Sequence, residues 1–294
     1  MHGELKKMNS IKVKAYAKIN WALNITGEAP NGYHLLDMLM QSISLHDTLT
    51  INKDEAQGLC IIGSNELTCS DDNLIIKAKK VLEEYTGSEL ACSFILEKNI
   101  PLAAGLAGGS ADAAAALAGM NAVFELGLTP SELLRVAEKI GSDVPFCMYG
   151  GFQRATGTGT ELKRLRNPEK IHMLIIKPCE GLSTAEVYKN SKTDTSACVD
   201  DAVNALQEGR IQDLKACCAN ALFKPASDMR PEINNVIEKL YQSGAVFAAM
   251  SGSGPSVFGV FESEDSARIA KDMLKAEYDE IHLASTHVYG LEFV

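Results

Sequence analysis

At residues 101–118 a run of small residues, Pro-Leu-Ala-Ala-Gly-Leu-Ala-Gly-Gly-Ser, opens without a break into the alanine-rich stretch Ala-Asp-Ala-Ala-Ala-Ala-Leu-Ala. Glycines let a backbone turn freely and come close to a ligand. A helix start adds unpaired N–H groups and about half a positive charge from its dipole. Together they form an anion site, and the commonest biological anion for such a site is a nucleotide phosphate. A helix packed tightly on a sheet would use the same small residues. The two most familiar phosphate motifs are absent. Ser110 follows Gly109 with no lysine between them, and Gly105-Leu106-Ala107-Gly108-Gly109 lacks the G-x-G-x-x-G spacing.

A chain of 294 residues exceeds one ordinary core, so two lobes are expected, divided near residue 160 into 1–160 and 161–294. A net charge of −10 argues against a nucleic-acid footprint or an anionic membrane as partner, but leaves room for a local phosphate pocket. The first eight residues carry charges and no apolar segment, and no run of 18 apolar residues occurs, so neither a signal peptide nor a membrane span is expected. Eight cysteines without a C-x-x-C pair read as reduced thiols of a cytoplasmic protein. Six scattered histidines argue against zinc.

The pattern along the chain is mixed. Residues 11–17, 20–26 and 36–52 read as strands, with a turn at Ala29-Pro30-Asn31-Gly32 between them. Asp72 is expected to cap a helix running to Tyr85, whose apolar stripe is Leu74, Ile75, Ala78, Val81 and Leu82. A strand at 91–97 feeds the glycine loop, and a helix at 110–125 follows it. Thr129-Pro130-Ser131-Glu132 forms a capping box that opens a helix to about Ile140. Gly150-Gly151 and Gly157-Thr158-Gly159 mark tight turns. Beyond residue 160, a strand at 171–176, a capping box at Ser183–Glu186 and helical patterns near 198–218 and 232–242 precede the tail. The tail reads strand 245–250, strand 256–261, helix 264–276 and strand 281–289. That order is α+β, built like half a ferredoxin fold.

Ala17-Lys18-Ile19-Asn20, the loop from Pro101 to Ala114, and Met250-Ser-Gly-Ser-Gly-Pro-Ser256 occur in an order and at separations that resemble the GHMP kinases, which include galactokinase, homoserine kinase and mevalonate kinase. Asn31-Gly32-Tyr33-His34 and Ile140-Gly-Ser-Asp143-Val-Pro145 narrow the resemblance to a branch acting on a cytidine-diphospho sugar alcohol. The resemblance implies a two-lobed α+β fold, with an N-terminal nucleotide-binding lobe and a C-terminal ferredoxin-like lobe. It implies transfer of the ATP γ-phosphate to a tertiary hydroxyl, with ATP and Mg²⁺ as cofactors. Another kinase of the family and a non-catalytic nucleotide-binding regulator are the competing readings; the second predicts ATP binding without turnover and Lys18 far from Asp143.

By this resemblance Asp143 is the catalytic base, although an aspartate in Ser-Asp-Val-Pro also suits a turn cap. Lys18 offsets charge on the phosphoryl oxygens, although Lys12 and Lys14 share its strand parity and the three could all face solvent. Pro101, Leu102, Ala103, Ala104, Gly105, Leu106, Ala107, Gly108, Gly109 and Ser110 bind ATP. Asn20, Tyr33, His34 and Tyr188 bind the substrate, the aromatic rings meeting the cytosine. Asp112 either stands near Mg²⁺ or complements the helix dipole. Ala103, Ala104 and Ala107 stand where other members carry methionine or glycine, so ordinary negative φ is expected there.

Overall fold

The computed structural model describes residues 9–54, 56–64, 67, 68, 70 and 72–294. The two early strand predictions merge into one long strand, β1 (Ser10–Glu28), which pairs antiparallel with β2 (His34–Lys53). β3 (Gly58–Ile62) leads to α1 (Leu74–Thr86). The cap of α1 is Asn73, not Asp72: its side chain accepts the Ile75 N–H at 3.0 Å. β4 (Cys92–Glu97) enters the glycine loop, and α2 (Gly108–Val123) leaves it. α3 (Pro130–Glu138) carries the predicted capping box on Thr129 and Glu132. A short helix not expected from the sequence, α4 (Val144–Tyr149), follows Asp143.

β5 (Phe152–Gly157) and β6 (Glu161–Arg164) complete this half. The first sheet runs β1-β2-β4-β3, with β5 on the N-terminal half of β2 and β6 outside it. β2 is long enough to serve β5 through Leu36–Gln41 and β4 through Thr48–Lys53. α2 packs on β1 and β2 through an unbroken alanine face, whose small side chains let the helix lie close to the sheet.

The second half starts at β7 (His172–Ile176), followed by α5 (Thr184–Lys189), α6 (Val199–Gln207), α7 (Leu214–Cys217), α8 (Phe223–Met229) and α9 (Glu232–Gln242). α8 was not foreseen. Ser183 caps α5 by accepting the Glu186 N–H at 3.4 Å, but Glu186 makes no return bond, so the predicted box is half formed. Then come β8 (Phe247–Met250), β9 (Val257–Phe261), α10 (Glu264–Leu274), β10 (Ile281–Ser285) and β11 (Leu291–Phe293). The second sheet has the order β10-β7-β9-β8, all antiparallel, which is the ferredoxin-like arrangement in full. β11 leaves this lobe and pairs with β1 of the first sheet.

The β1–β2 ladder is irregular, and the irregularity places the site. Register shifts fall between Tyr16 and Lys18, between Asn20 and Ala22, and between Ile25 and Gly27. Val13 and Ala15 face the core under α2, Ala17, Ile19 and Trp21 face a second core against the C-terminal lobe, and Leu23 and Ile25 return to the first. A local slip in a strand exchanges its faces. The strand parity that set Lys18 beside Lys12 and Lys14 therefore ends at Tyr16, and Lys18 is buried at 4% exposure. Among the described residues, seven cysteines are free thiols; Cys69 lies outside them.

Candidate active site

One cavity of about 1080 Å³ opens between the lobes. Its floor is the glycine loop, residues 101–110, and its walls include Lys18, Asn20, Tyr33, His34, Asp143 and Tyr188. Every residue singled out from the sequence for ATP, substrate or catalysis thus borders the same space.

The loop is held by the late glycine turn. Gly105 has φ of 74°, and a Cβ there would lie 2.1 Å from the Ser251 carbonyl oxygen, so only glycine fits. Ser251 Oγ donates to the Gly105 carbonyl at 3.0 Å and accepts the Asn20 N–H at 3.3 Å. The Ser256 N–H reaches the Ala104 carbonyl at 3.3 Å. Asn220 anchors the turn from behind, its Nδ2 donating to the carbonyls of Met250 and Gly252, each at 2.9 Å. The turn packs against the glycine loop and braces it.

Two alanines of the loop depart from expectation. Ala103 and Ala107 have φ of 48° and 56°, both left-handed. The prediction of negative φ fails at these positions. An L-residue pays only about 1–2 kcal/mol to enter this region, which a braced loop can impose. Ala107 occupies the cap position of α2 and makes no side-chain capping bond, and Gly108, Gly109 and Ser110 of the first turn border the cavity.

Lys18 joins the loop to the acid. Its Nζ donates to Asn20 Oδ1 at 2.8 Å and to the Gly105 carbonyl at 3.1 Å, and lies 3.7 Å from Asp143 Oδ2. Gly252 borders the same ammonium: a Cβ there would stand 3.1 Å from it. Asp143 sits at the start of α4 but makes no side-chain capping bond, so the turn-cap alternative is not what its carboxylate does. Its side chain is one-third exposed, toward the cavity.

On the far wall, His34 and Tyr188 stack with ring centres 5.5 Å apart, and His34 Nε2 lies 3.2 Å from the Tyr188 carbonyl. Tyr33 stands at 67% exposure, with a free aromatic face at the cavity mouth. Burial raises the Tyr188 phenol well above its ordinary value, and the nearby Asp143 carboxylate raises it further. It stays a neutral ring.

Asp112 has a partner that the sequence did not point to. It is buried at 2% exposure and pairs at 3.0 Å with Lys98 Nζ, which also bonds Asp47. Lys98 was missed from the sequence. Its position at the end of β4, just ahead of the glycine loop, is the only signal that could have marked it. Thr158, Gly159 and Thr160, read only as a turn, also line the cavity.

The family model described as GHMP kinases N terminal domain matches residues 73–151, and that described as GHMP kinases C terminal matches residues 202–280. The chain belongs to the GHMP kinases. A GHMP kinase of Pelotomaculum thermopropionicum, named 4-diphosphocytidyl-2-C-methyl-D-erythritol kinase, is 41% identical over 262 residues, covering 88% of this chain and 91% of its own. One of the same name from Alkaliphilus metalliredigens is 35% identical, covering 95% and 98%. A crystal structure of 4-(cytidine 5'-diphospho)-2C-methyl-D-erythritol kinase superposes with a TM-score of 0.79 at 29% identity, covering 94% of this chain and 98% of its own. The homoserine kinase from Cytophaga hutchinsonii superposes with a TM-score of 0.78 at 18% identity over the whole of both chains, which shows a shared GHMP kinase fold.

Proposed function

We propose that this GHMP kinase transfers the γ-phosphoryl group of ATP to the 2-hydroxyl of 4-diphosphocytidyl-2-C-methyl-D-erythritol, a step of the non-mevalonate (methylerythritol phosphate) isoprenoid pathway. The observation that carries the chemistry is the contact chain Gly105–Lys18–Asp143, which sets a cation and a carboxylate against the phosphate loop within one cavity.

The glycine loop and the first N–H groups of α2 cradle the ATP phosphates, with Ser110 at the helix start. Mg²⁺ accompanying ATP would offset the negative charge of the phosphates held at Gly108, Gly109 and Ser110. Among the described residues no cluster of three carboxylates, thiols or imidazoles would hold it independently of the nucleotide. Asp143 accepts the proton of the substrate hydroxyl as that oxygen bonds to the γ-phosphorus and ADP departs. Lys18 stabilises the negative charge on the phosphoryl oxygens, and Asn20 fixes the direction of its ammonium through the 2.8 Å bond. Tyr33 and Tyr188 supply aromatic faces for cytosine, and His34 steadies Tyr188 by stacking. The regions 1–160 and 161–294 act as the ATP-binding and second lobes, with β11 the exception. The acidic charge of −10 supports a partner set of small molecules rather than nucleic acid or anionic membrane, and eight cysteines without a paired motif support a cytoplasmic setting.

The test is incubation with MgATP and each candidate alcohol. ADP release is expected with 4-diphosphocytidyl-2-C-methyl-D-erythritol and not with homoserine or mevalonate, and phosphorus NMR should place the new ester on the 2-hydroxyl. Turnover confined to another alcohol would reject the assignment.

A further inference from the structure

Against the phosphate loop lies a cluster given no role in the chemistry just described: Asp47 from β2, Lys98 just after β4 and Asp112 from the first turns of α2, of which only Lys98 borders the cavity. All three are buried. Asp47 is fully satisfied, Oδ2 accepting from Lys98 and Oδ1 accepting the N–H groups of Asn99 and Ile100 at 2.6 and 2.8 Å. Asp112 is not. Its Oδ2 accepts from Lys98, while its buried Oδ1 has no partner. One ammonium cannot balance two carboxylates, and an unpaired charge inside a protein costs far more than a neutral acid. The oxygen without a donor is the one that takes the proton.

The cluster touches the loop directly. A Cβ on Gly108 would lie 2.8 Å from Lys98 Nζ, so this ammonium lies immediately against the first residue of α2. We propose that Asp112 is a positioning residue for ATP: acting through Lys98, its proton keeps the charge beneath the phosphate loop at zero, and loss of that proton sets a net negative charge behind the bound phosphates.

The remaining surroundings agree. Burial alone would lower the Lys98 ammonium, but Asp112 and Asp47 outweigh it and leave it raised, so it stays charged. Burial raises the Asp112 carboxyl to about 8, Lys98 pulling down and Asp47 pushing up. From α4, Cys147 senses the same carboxylate, and burial, followed by Asp143, raises its thiol well above the ordinary value, so it remains neutral. The other elements packed on α2 supply apolar side chains such as Val13, Ile75 and Val136.

This inference rests on the ATP-binding reading of the loop, and the experiment separates the two. ATP with Mg²⁺ is titrated calorimetrically into the full chain, without an acceptor alcohol, at pH 7 and pH 9.5. Wild type should bind roughly tenfold more weakly at the higher pH, as for a proton whose pKa ATP raises by one unit. Asp112→Asn, which mimics the protonated acid, should change by less than twofold. Wild type should also take up protons on binding ATP near pH 8, read from buffers of different ionisation enthalpy; this measurement needs no variant. A variant that tracks wild type, or wild type without proton uptake, overturns the role of Asp112 and leaves the loop assignment standing. Absence of ATP binding at either pH overturns both.

Discussion

Two buried lysines lie against the same glycine loop, Lys18 at Gly105 and Lys98 at Gly108, and differ in what their partner acids face. Lys18 is 4% exposed and Lys98 is 8% exposed. Lys18 has one carboxylate at 3.7 Å, and that carboxylate opens on the cavity. Lys98 also borders the cavity, but it is held between two carboxylates that do not. Burial and residue type are shared, so they do not decide function. What decides it is whether the partner acid can still reach a ligand. An ion pair with a cavity-facing acid is poised for chemistry, while a lysine whose acids are both buried away from the cavity can only fix the charge and shape beside it.

The contrast can be broken in several ways. Asp143→Asn should lower kcat by roughly 10²–10⁴ with ATP affinity and thermal midpoint kept; near-normal turnover would remove Asp143 from the chemistry. Lys98→Ala strands two buried acids, so it should cost about 3–5 kcal/mol of stability by denaturant melt, and the lost positive charge beside Gly108 should weaken ATP binding in the protein that remains folded. Lys18→Ala should do the reverse, losing roughly 10²–10³ in kcat with little change in that melt; a change in KM alone would make Lys18 a binding residue instead.

Two smaller effects sharpen the picture. The Asp112 carboxyl titrates higher in the fold than in the unfolded chain, so between pH 4 and 8 folding takes up a proton there. That contribution to stability is complete at acid pH and fades as pH rises to about 8. The thermal midpoint of wild type should therefore fall relative to Asp112→Asn across that window; parallel curves would place the proton elsewhere. The smallest effect concerns Ala107, which is left-handed. Ala107→Gly should gain up to about 1 kcal/mol, whereas Ala104→Gly, at a position without positive φ, should lose about 0.5–1 kcal/mol.

Much of the site was legible because its parts are short and local. A glycine run before an alanine helix announces itself within a few residues, while Lys18 and Asp143 stand out only through the family resemblance that their segments carry. The late turn, Met250–Ser256, was expected beside the loop and is there. What escaped depends on distant partners. Asp112 meets Asp47 across 65 positions, and no local pattern links β2 to the start of α2. Lys18 seemed to share a face with Lys14 because parity assumes an even ladder, and the shift after Tyr16 is set by how β2 pairs with β1. The signs of φ at Ala103 and Ala107 answer to the brace from the late turn and to Gly181, where a Cβ would come within 2.3 Å of the Ala103 Cβ. α4 hid behind Pro145, which suits a helix start as well as a turn.

The strand β11 carries a last consequence. It pairs Val13 with Phe293 and Ala15 with Leu291, covering the outer edge of the sheet that builds the first lobe. On the ribosome, that lobe emerges long before its own border strand. Until residues 291–293 are made, β1 presents an open edge of the kind that invites pairing with a neighbouring nascent chain.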